Sequence, residues 1–296
     1  MNIYIDESAG FCWGVVRTID KVEETLNGNK DEQIYVLGNI IHNPREIERL
    51  ANNGLQTINH SDFERISGTN SKVIIRAHGE APSTYKKAKD LNIDLIDATC
   101  PLVTALQKRV GKFYEQGYQI VIYGKKEHAE IIGLRGVCND ECVVVHSIEE
   151  AREMINPNLK TVLLSQTTMD RPTFLAIKDE IESIIHENGN ELEVLSRDTI
   201  CKYVSDREPA LREFSIANDV IIFVAGHDSS NGKILFNICK SENPNTHFIE
   251  DVSEIDYSLF DDVKSVGVTG ATSTPQWYLN LVKETLESFA ARGVAV

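Results

Sequence analysis

One strand–helix order occurs three times along this 296-residue chain, and that repetition constrains the fold more than any other feature. Each copy runs apolar strand, loop, helix, strand, short helix, strand, helix and final strand. In the first copy the strands are QIYVLGNIIHNP, GLQTINH, KVIIRAHGE and IDLIDATC; in the second they are YQIVIYGKKEHAE, ECVVVHS, KTVLLSQTT and LEVLSRDTIC. The third has DVIIFVAGHDSSN, THFIED and KSVGVTGATS and then closes on a helix, so the N-terminal IYIDESAGFC is expected to supply its missing strand. The intervals His42–His78, His128–Thr167 and Ser229–Ser273, from first to third strand ends, are similar. Strands alternating with helices indicate parallel sheets, with ligands beyond the strand C-termini. The expected fold is α/β: three similar modules with mainly parallel sheets around a pseudo-threefold axis. Residues 1–13 form the strand that completes the third module, 14–99 the first module, 100–199 the second, and 200–296 the third with its C-terminal helix.

The cysteines follow the repeat. In LIDATCPLV, a strand hands over to a helix at Cys100, and Pro101 suits the first helical position because its missing N–H costs nothing there. A thiol beside a helix N-terminus is favoured as thiolate, which fits a nucleophile or a metal ligand. The final strands of the copies end in Cys100, Cys201 and, by the closure above, Cys12; two of them share the pattern Asp97-x-x-Cys100 and Asp198-x-x-Cys201. Three core thiols at strand ends are the bland alternative. Three thiolates converging from three modules would instead form an incomplete tetrahedral metal site, the kind that is usually catalytic. No CxxC pair occurs, and Cys138, Cys142 and Cys239 read as packing residues.

Polar residues stand at the other strand ends: His42 before Asn43-Pro44, His78 in AHGE, His128 and Glu130 in EHAE, Gln166-Thr167-Thr168, Ser229-Ser230-Asn231, and Ser273 in ATSTP. Singly, such Ser, Thr and Asn are helix N-caps. As a group they form donors around helix N-termini, which is how a phosphate is held. Glu130 is expected on the loop beyond a strand. His60, His146, His186 and His247 have no such context.

The formal net charge is −15, without a basic tract or aromatic–basic interleaving, so nucleic acid is not an expected partner. No apolar run approaches a membrane span, and MNIYIDES carries charge where a signal peptide would be apolar. A cytoplasmic protein with reduced cysteines is expected.

Taken in order, GFCWGV, HN, AHG, DATCP, HxE, QTT, DTIC, SSN and TSTP resemble the 4-hydroxy-3-methylbut-2-enyl diphosphate reductase family, IspH or LytB, over nearly the whole chain. The resemblance implies a three-lobed α/β fold around a central [4Fe–4S] cluster with three cysteine ligands and one open iron. It also implies reductive loss of the allylic hydroxyl of (E)-4-hydroxy-3-methylbut-2-enyl diphosphate, giving isopentenyl and dimethylallyl diphosphates, the last step of the non-mevalonate isoprenoid pathway. The electron donor would be a protein such as ferredoxin or flavodoxin. By position, Cys12, Cys100 and Cys201 resemble the cluster ligands, and His42, His78, Ser229, Ser230, Asn231 and Ser273 the diphosphate-binding set. His128 resembles a residue of both binding and catalysis, Glu130 the proton source, and Thr167 a substrate-side member of its hydrogen-bond relay. The chain departs from the family pattern at Trp13, at Val204, where a threonine is expected, and at His227-Asp228, where lysine and asparagine are expected. Two other readings fit the residues alone: a zinc hydrolase of a phosphorylated small molecule with Glu130 as base, and a metal-stapled scaffold or diphosphate sensor.

Overall fold

The computed structural model describes residues 1–29, 31–187 and 191–293, apart from the side chains of residues 204, 292 and 293. The departure at Val204 therefore lies outside the described residues, as do the last three residues of the third copy. The strands are β1 (Asn2–Ile5), β2 (Gln33–Leu37), β3 (Leu55–Ile58), β4 (Ser71–Ile75), β5 (Asp94–Asp97), β6 (Gln119–Tyr123), β7 (Cys142–Val145), β8 (Thr161–Ser165), β9 (Val194–Ser196), β10 (Val220–Val224), β11 (Thr246–Ile249) and β12 (Ser265–Gly270). They form three four-stranded sheets, ordered β3-β2-β4-β5, β7-β6-β8-β9 and β1-β12-β10-β11. Every pairing is parallel. These are the parallel α/β modules expected from the repeat. In each sheet the first and third strands of the copy lie side by side, so the connections beyond their C-termini part in opposite directions and leave a crevice.

The chain divides into two compact units. The first comprises Met1–Val16, Asn39–Gly54 and the chain from Lys202 onward, and holds the sheet β1-β12-β10-β11. Its central strand VIIFV is buried throughout, the mark of a strand covered on both faces. Tyr278, Leu279, Val282 and Leu286 of the helix Gln276–Gly293 line the same core at helical spacing. β1 pairs from Asn2↔Ser265 to Ile5↔Val268. Immediately after it, buried Asp6 meets buried Arg207, whose Nη2 donates to Asp6 Oδ2 at 2.9 Å and to Thr269 Oγ1 at 2.8 Å. Arg207 Nη1 donates to Gly270 O at 2.6 Å and Nε to Ser8 Oγ at 3.2 Å, so each guanidinium nitrogen is used. Burial pushes the Asp6 carboxyl up, but Arg207 and the hydroxyls of Ser8 and Thr269 outweigh it and hold it below its ordinary value.

The second unit, Arg17–Gly38 and Leu55–Cys201, holds the other two sheets. Phe174, Ile177, Ile181 and Ile185 form the buried stripe of the helix Arg171–His186, and Val103, Leu106 and Val110 that of the helix Pro101–Glu115. The helix Ala129–Val137 meets the start of the helix Pro82–Asp90 through glycines. A Cβ on Gly136 would stand 2.4 Å from Ala81 Cβ. Beside it, Gln107 Nε2 donates to Glu80 O at 3.1 Å.

This contact gives a stability prediction. Helix propensity alone would favour Gly136→Ala by roughly 0.5–1 kcal/mol. The overlap with Ala81 is larger, so Gly136→Ala should destabilise by about 1–3 kcal/mol in urea denaturation. Adding Ala81→Gly should recover most of the loss; a single variant as stable as the parent would refute the tight packing.

Candidate active site

Each of the three predicted cysteines is fixed by one backbone arrangement. The Cys100 N–H donates to Ala77 O at 3.0 Å, the Cys201 N–H to Thr167 O at 2.8 Å, and the Cys12 N–H to Thr272 O at 3.1 Å. Ala77, Thr167 and Thr272 each stand two residues past the end of β4, β8 and β12. At the end of the strand before each cysteine, or one or two residues beyond it, an aspartate turns the chain: Oδ1 of Asp97, Asp198 and Asp6 accepts from the N–H of Thr99 at 2.9 Å, Ile200 at 3.1 Å and Ser8 at 2.9 Å. The three thiols are half-buried, whereas Cys138 and Cys239 are buried. Cys100 is the N-cap residue of the helix Pro101–Glu115, and Cys12 precedes the helix Trp13–Gly28. Cys12 also lines a cavity of about 390 Å³ with Phe11, Tyr203 and Thr272.

The second unit brings His78, His128, Glu130 and Thr167 to its strand C-termini, together with Cys100 and Cys201. The sequence reading put Glu130 on a loop, but it lies in the first turn of the helix Ala129–Val137, because His128 caps that helix. His128 Nδ1 accepts from the Glu130 N–H at 3.2 Å, which leaves the proton of the neutral ring on Nε2. The His78 and His128 rings meet edge-on, with centroids 5.3 Å apart. Glu130 is 1% exposed. Its Oε1 accepts from the Thr167 N–H at 2.8 Å, and its Oε2 shares a hydrogen bond with Thr167 Oγ1 at 2.7 Å. Burial lifts the carboxyl to about 7 against the opposing pull of the two Thr167 bonds. A carboxyl titrating there can both hold and release a proton at neutral pH.

The first unit holds His42, Ser229, Ser230, Asn231 and Ser273, with Cys12. Ser229 Oγ accepts from the Gly232 N–H at 3.0 Å, capping the helix Ser230–Glu242 and keeping its own hydrogen for donation. Asn231 Oδ1 accepts from the Thr272 N–H and from Thr272 Oγ1, both at 2.8 Å. That fixes the amide orientation, and the buried Nδ2 is left without a hydrogen-bond partner. Leaving such a donor unmet costs roughly 1–3 kcal/mol, which an anion accepting from it would remove. His42 is held through its carbonyl. Ser273 Oγ donates to His42 O at 3.4 Å, and a Cβ on Gly226 would stand 2.5 Å from that oxygen, so only glycine permits the approach. Asn43 and Pro44 then start the helix Pro44–Asn52, with Asn43 Oδ1 accepting from the Glu46 N–H at 3.0 Å.

The predicted residues thus fall into one group in each unit. The family model described as LytB protein matches residues 3–287. The chain belongs to the LytB family. It is 45% identical over 313 residues to the 4-hydroxy-3-methylbut-2-enyl diphosphate reductase of Chloroherpeton thalassium, covering 98% of each chain. It is also 45% identical over 293 residues to the Bacteroides fragilis protein of that name, covering 97% of this chain and 98% of the relative. A solved (E)-4-hydroxy-3-methyl-but-2-enyl diphosphate reductase, described as the terminal enzyme of the non-mevalonate pathway, is similar with a TM-score of 0.70 and 33% identity, covering 97% of this chain and 100% of that one. The E-1-hydroxy-2-methyl-but-2-enyl-4-diphosphate reductase from Plasmodium falciparum gives 0.81 and 28%, covering 95% and 87%. The LytB resemblance read from the motifs therefore stands.

Among the departures from the LytB pattern, Trp13 is exposed, and His227 stacks on Phe248 with centroids 5.3 Å apart. Sequence reasoning missed Asp6, Thr272 and Gly226. Asp6 stands near a strand end as Asp97 and Asp198 do, but farther from its cysteine. Gly226 had a visible signal, a glycine directly after an apolar strand.

The titration of Glu130 has a consequence for stability. Its ordinary value is 4.5 and its folded value about 7, so between these the native state holds a proton that the unfolded chain has lost. The resulting stabilisation is complete below the lower value and vanishes as pH rises through the upper one; it is on the order of 3 kcal/mol. Urea denaturation of the parent and Glu130→Gln at pH 5 and 8 should show the variant gaining by about that amount at the higher pH. A pH-independent difference would contradict the raised value.

Proposed function

We propose that this chain reduces (E)-4-hydroxy-3-methylbut-2-enyl diphosphate to isopentenyl and dimethylallyl diphosphates, taking up two electrons and two protons and releasing water. The reading places it at the last step of the non-mevalonate isoprenoid pathway in the cytoplasm, with a ferredoxin or flavodoxin as electron donor. Among the described residues, no helix is long and apolar enough to cross a membrane. The names of the relatives support the reaction, and membership of the LytB family supports an iron–sulfur cofactor. The observation that carries the proposal is buried Glu130, doubly held by Thr167 and titrating near neutrality.

The residues fit an iron–sulfur group. Cys12, Cys100 and Cys201 repeat one backbone setting, are half-buried, and are the thiols proposed to hold a [4Fe–4S] cluster with one iron left open. When bound, the cluster would supply the electrons and Lewis acidity. The 1–13, 14–99, 100–199 and 200–296 segments are proposed as the functional modules.

The rest of the chemistry belongs to side chains. Ser229 Oγ, Asn231 Nδ2 and the helix N-terminus behind them donate to the diphosphate, joined by His42, His78, Ser230 and Ser273. His128 offers Nε2–H to the substrate. Loss of hydroxide is difficult unless the leaving oxygen is protonated, and the remaining allyl fragment needs a second proton. Glu130 supplies both, being reprotonated between the two transfers, and Thr167 Oγ1 relays the first proton to the hydroxyl or holds that hydroxyl.

Glu130→Gln keeps the shape and the acceptor for the Thr167 N–H but removes the transferable proton. It should leave visible cluster absorption unchanged and lower anaerobic turnover with a chemical reductant by about 10²–10⁴-fold. Turnover within a few-fold of the parent would mean that protons arrive by another route. Separately, Cys12→Ser, Cys100→Ser and Cys201→Ser should each lose iron, acid-labile sulfide and visible absorption, while Cys239→Ser keeps them. Stoichiometric zinc without sulfide in the anaerobic parent would favour the hydrolase reading instead.

A further inference from the structure

Outside these groups, the structure places two other thiols together. Cys138 ends the helix Ala129–Val137 and is fully buried, while Cys142 opens the edge strand β7 and is half-buried. The intervening Asn139, Asp140 and Glu141 are exposed. Asn139 and Asp140 both take left-handed backbone conformations, with φ of 53° and 62°. Asn and Asp are the side-chain-bearing residues that tolerate this region best, and two in succession fold the chain sharply back. The turn is pinned by the Glu141 N–H to Cys138 O at 2.8 Å, by the Asp140 N–H to Arg135 O at 2.9 Å, and by the Arg135–Asp140 ion pair at 2.9 Å. The Cys138 Sγ–H donates to Leu134 O and Arg135 O, both at 3.4 Å, and across the turn Cys142 packs against the apolar cluster that holds Cys138.

We propose that Cys138 and Cys142 are a redox site that a low-molecular-weight disulfide converts to an intramolecular disulfide. The roles of the two sulfurs follow from their surroundings. The neighbouring Cys138 thiol, and then the positive charge of Arg135, hold the Cys142 thiol below its ordinary value against the cost of burial. Contact with Cys142, reinforced by burial, pushes the Cys138 thiol up. The half-buried Cys142 sulfur on the sheet edge is the attacking nucleophile, and Cys138 is the resolving thiol. In the first step the Cys142 thiolate attacks RS–SR, forming a Cys142–SR bond and expelling one RS⁻. In the second, the Cys138 sulfur gives up its proton and attacks Cys142 Sγ, forming Cys138–Cys142 and expelling the second RS⁻. Two protein thiols are oxidised, one external disulfide is reduced to two thiols, and the two protons pass to those thiols. The product clips the C-terminal end of the helix that carries Glu130 to the strand beside it.

The test uses the purified anaerobic holoenzyme equilibrated with oxidised glutathione, quenched in acid, denatured and alkylated. Trypsin cutting after Arg135 and Arg152 releases both cysteines in one peptide, residues 136–152. The expected peptide carries no alkyl group and is two hydrogens lighter than its dithiol form; prior dithiothreitol restores two alkylated thiols. Cys138→Ser, or Cys138→Ala should serine not fold in that buried position, should stop at one glutathione on Cys142. In Cys142→Ser, Cys138 should remain unmodified until denatured. Two alkylatable thiols in the treated parent would overturn the site, and a glutathione adduct that persists in the parent would overturn the pairing. Modification of Cys138 in Cys142→Ser would overturn the assigned roles.

Discussion

The cysteine settings depend on a bond that involves no cysteine side chain. The peptide N–H of each donates to a carbonyl just past the end of a central strand, and a preceding aspartate turns the chain so that this bond can form. A strand-end carbonyl is among the best-fixed atoms in an α/β module, because the parallel ladder behind it is buried on both faces. The thiols therefore inherit the rigidity of three sheets rather than that of their own loops. Arg207 extends the same logic at Cys12, where the turn is longer: one guanidinium joins Asp6, Ser8, Thr269 and Gly270.

Burial pushes the carboxyls of Asp6 and Glu130 the same way, up, yet the two end on opposite sides of their ordinary values. Asp6 has a guanidinium against it and stays ionised. Glu130 has only the N–H and hydroxyl of Thr167, so desolvation wins and its proton is retained toward neutrality. Similar depth thus yields a structural anion in one unit and a titrating acid in the other, and the partner decides which.

Much of this was readable in advance, for identifiable reasons. The strands announce themselves as apolar runs such as VIIFV and TVLLS because both faces are covered, and side chains at their C-termini recur at matching offsets. Cys12, Cys100 and Cys201 could be chosen among six cysteines from the repeat alone. What stayed hidden was backbone chemistry. Nothing in the residue types of Ala77, Thr167 and Thr272 announces a role for their carbonyls, and the loop between Asp6 and Cys12 conceals its kinship with DATC and DTIC. The start of the helix at Ala129 was missed because histidine is an uncommon cap. The division of the chain into two compact units, with Asn39–Gly54 leaving the neighbours it has in sequence, has no compositional marker at all.

The pairing of β1 with β12 also has a consequence for biosynthesis. β1 leaves the ribosome long before the partner it needs is made, and the carbonyl of Thr272 that anchors Cys12 comes later still. The two sheets of the second unit can close in turn as the chain lengthens, each from strands close together in sequence. The remaining sheet must wait with β1 unpaired, because its closure joins strands as far apart in sequence as Asn2 and Ser265. Cys12 therefore acquires its backbone anchor only after Thr272 has been made, and a chain interrupted before that residue would present Cys100 and Cys201 in their settings without the third.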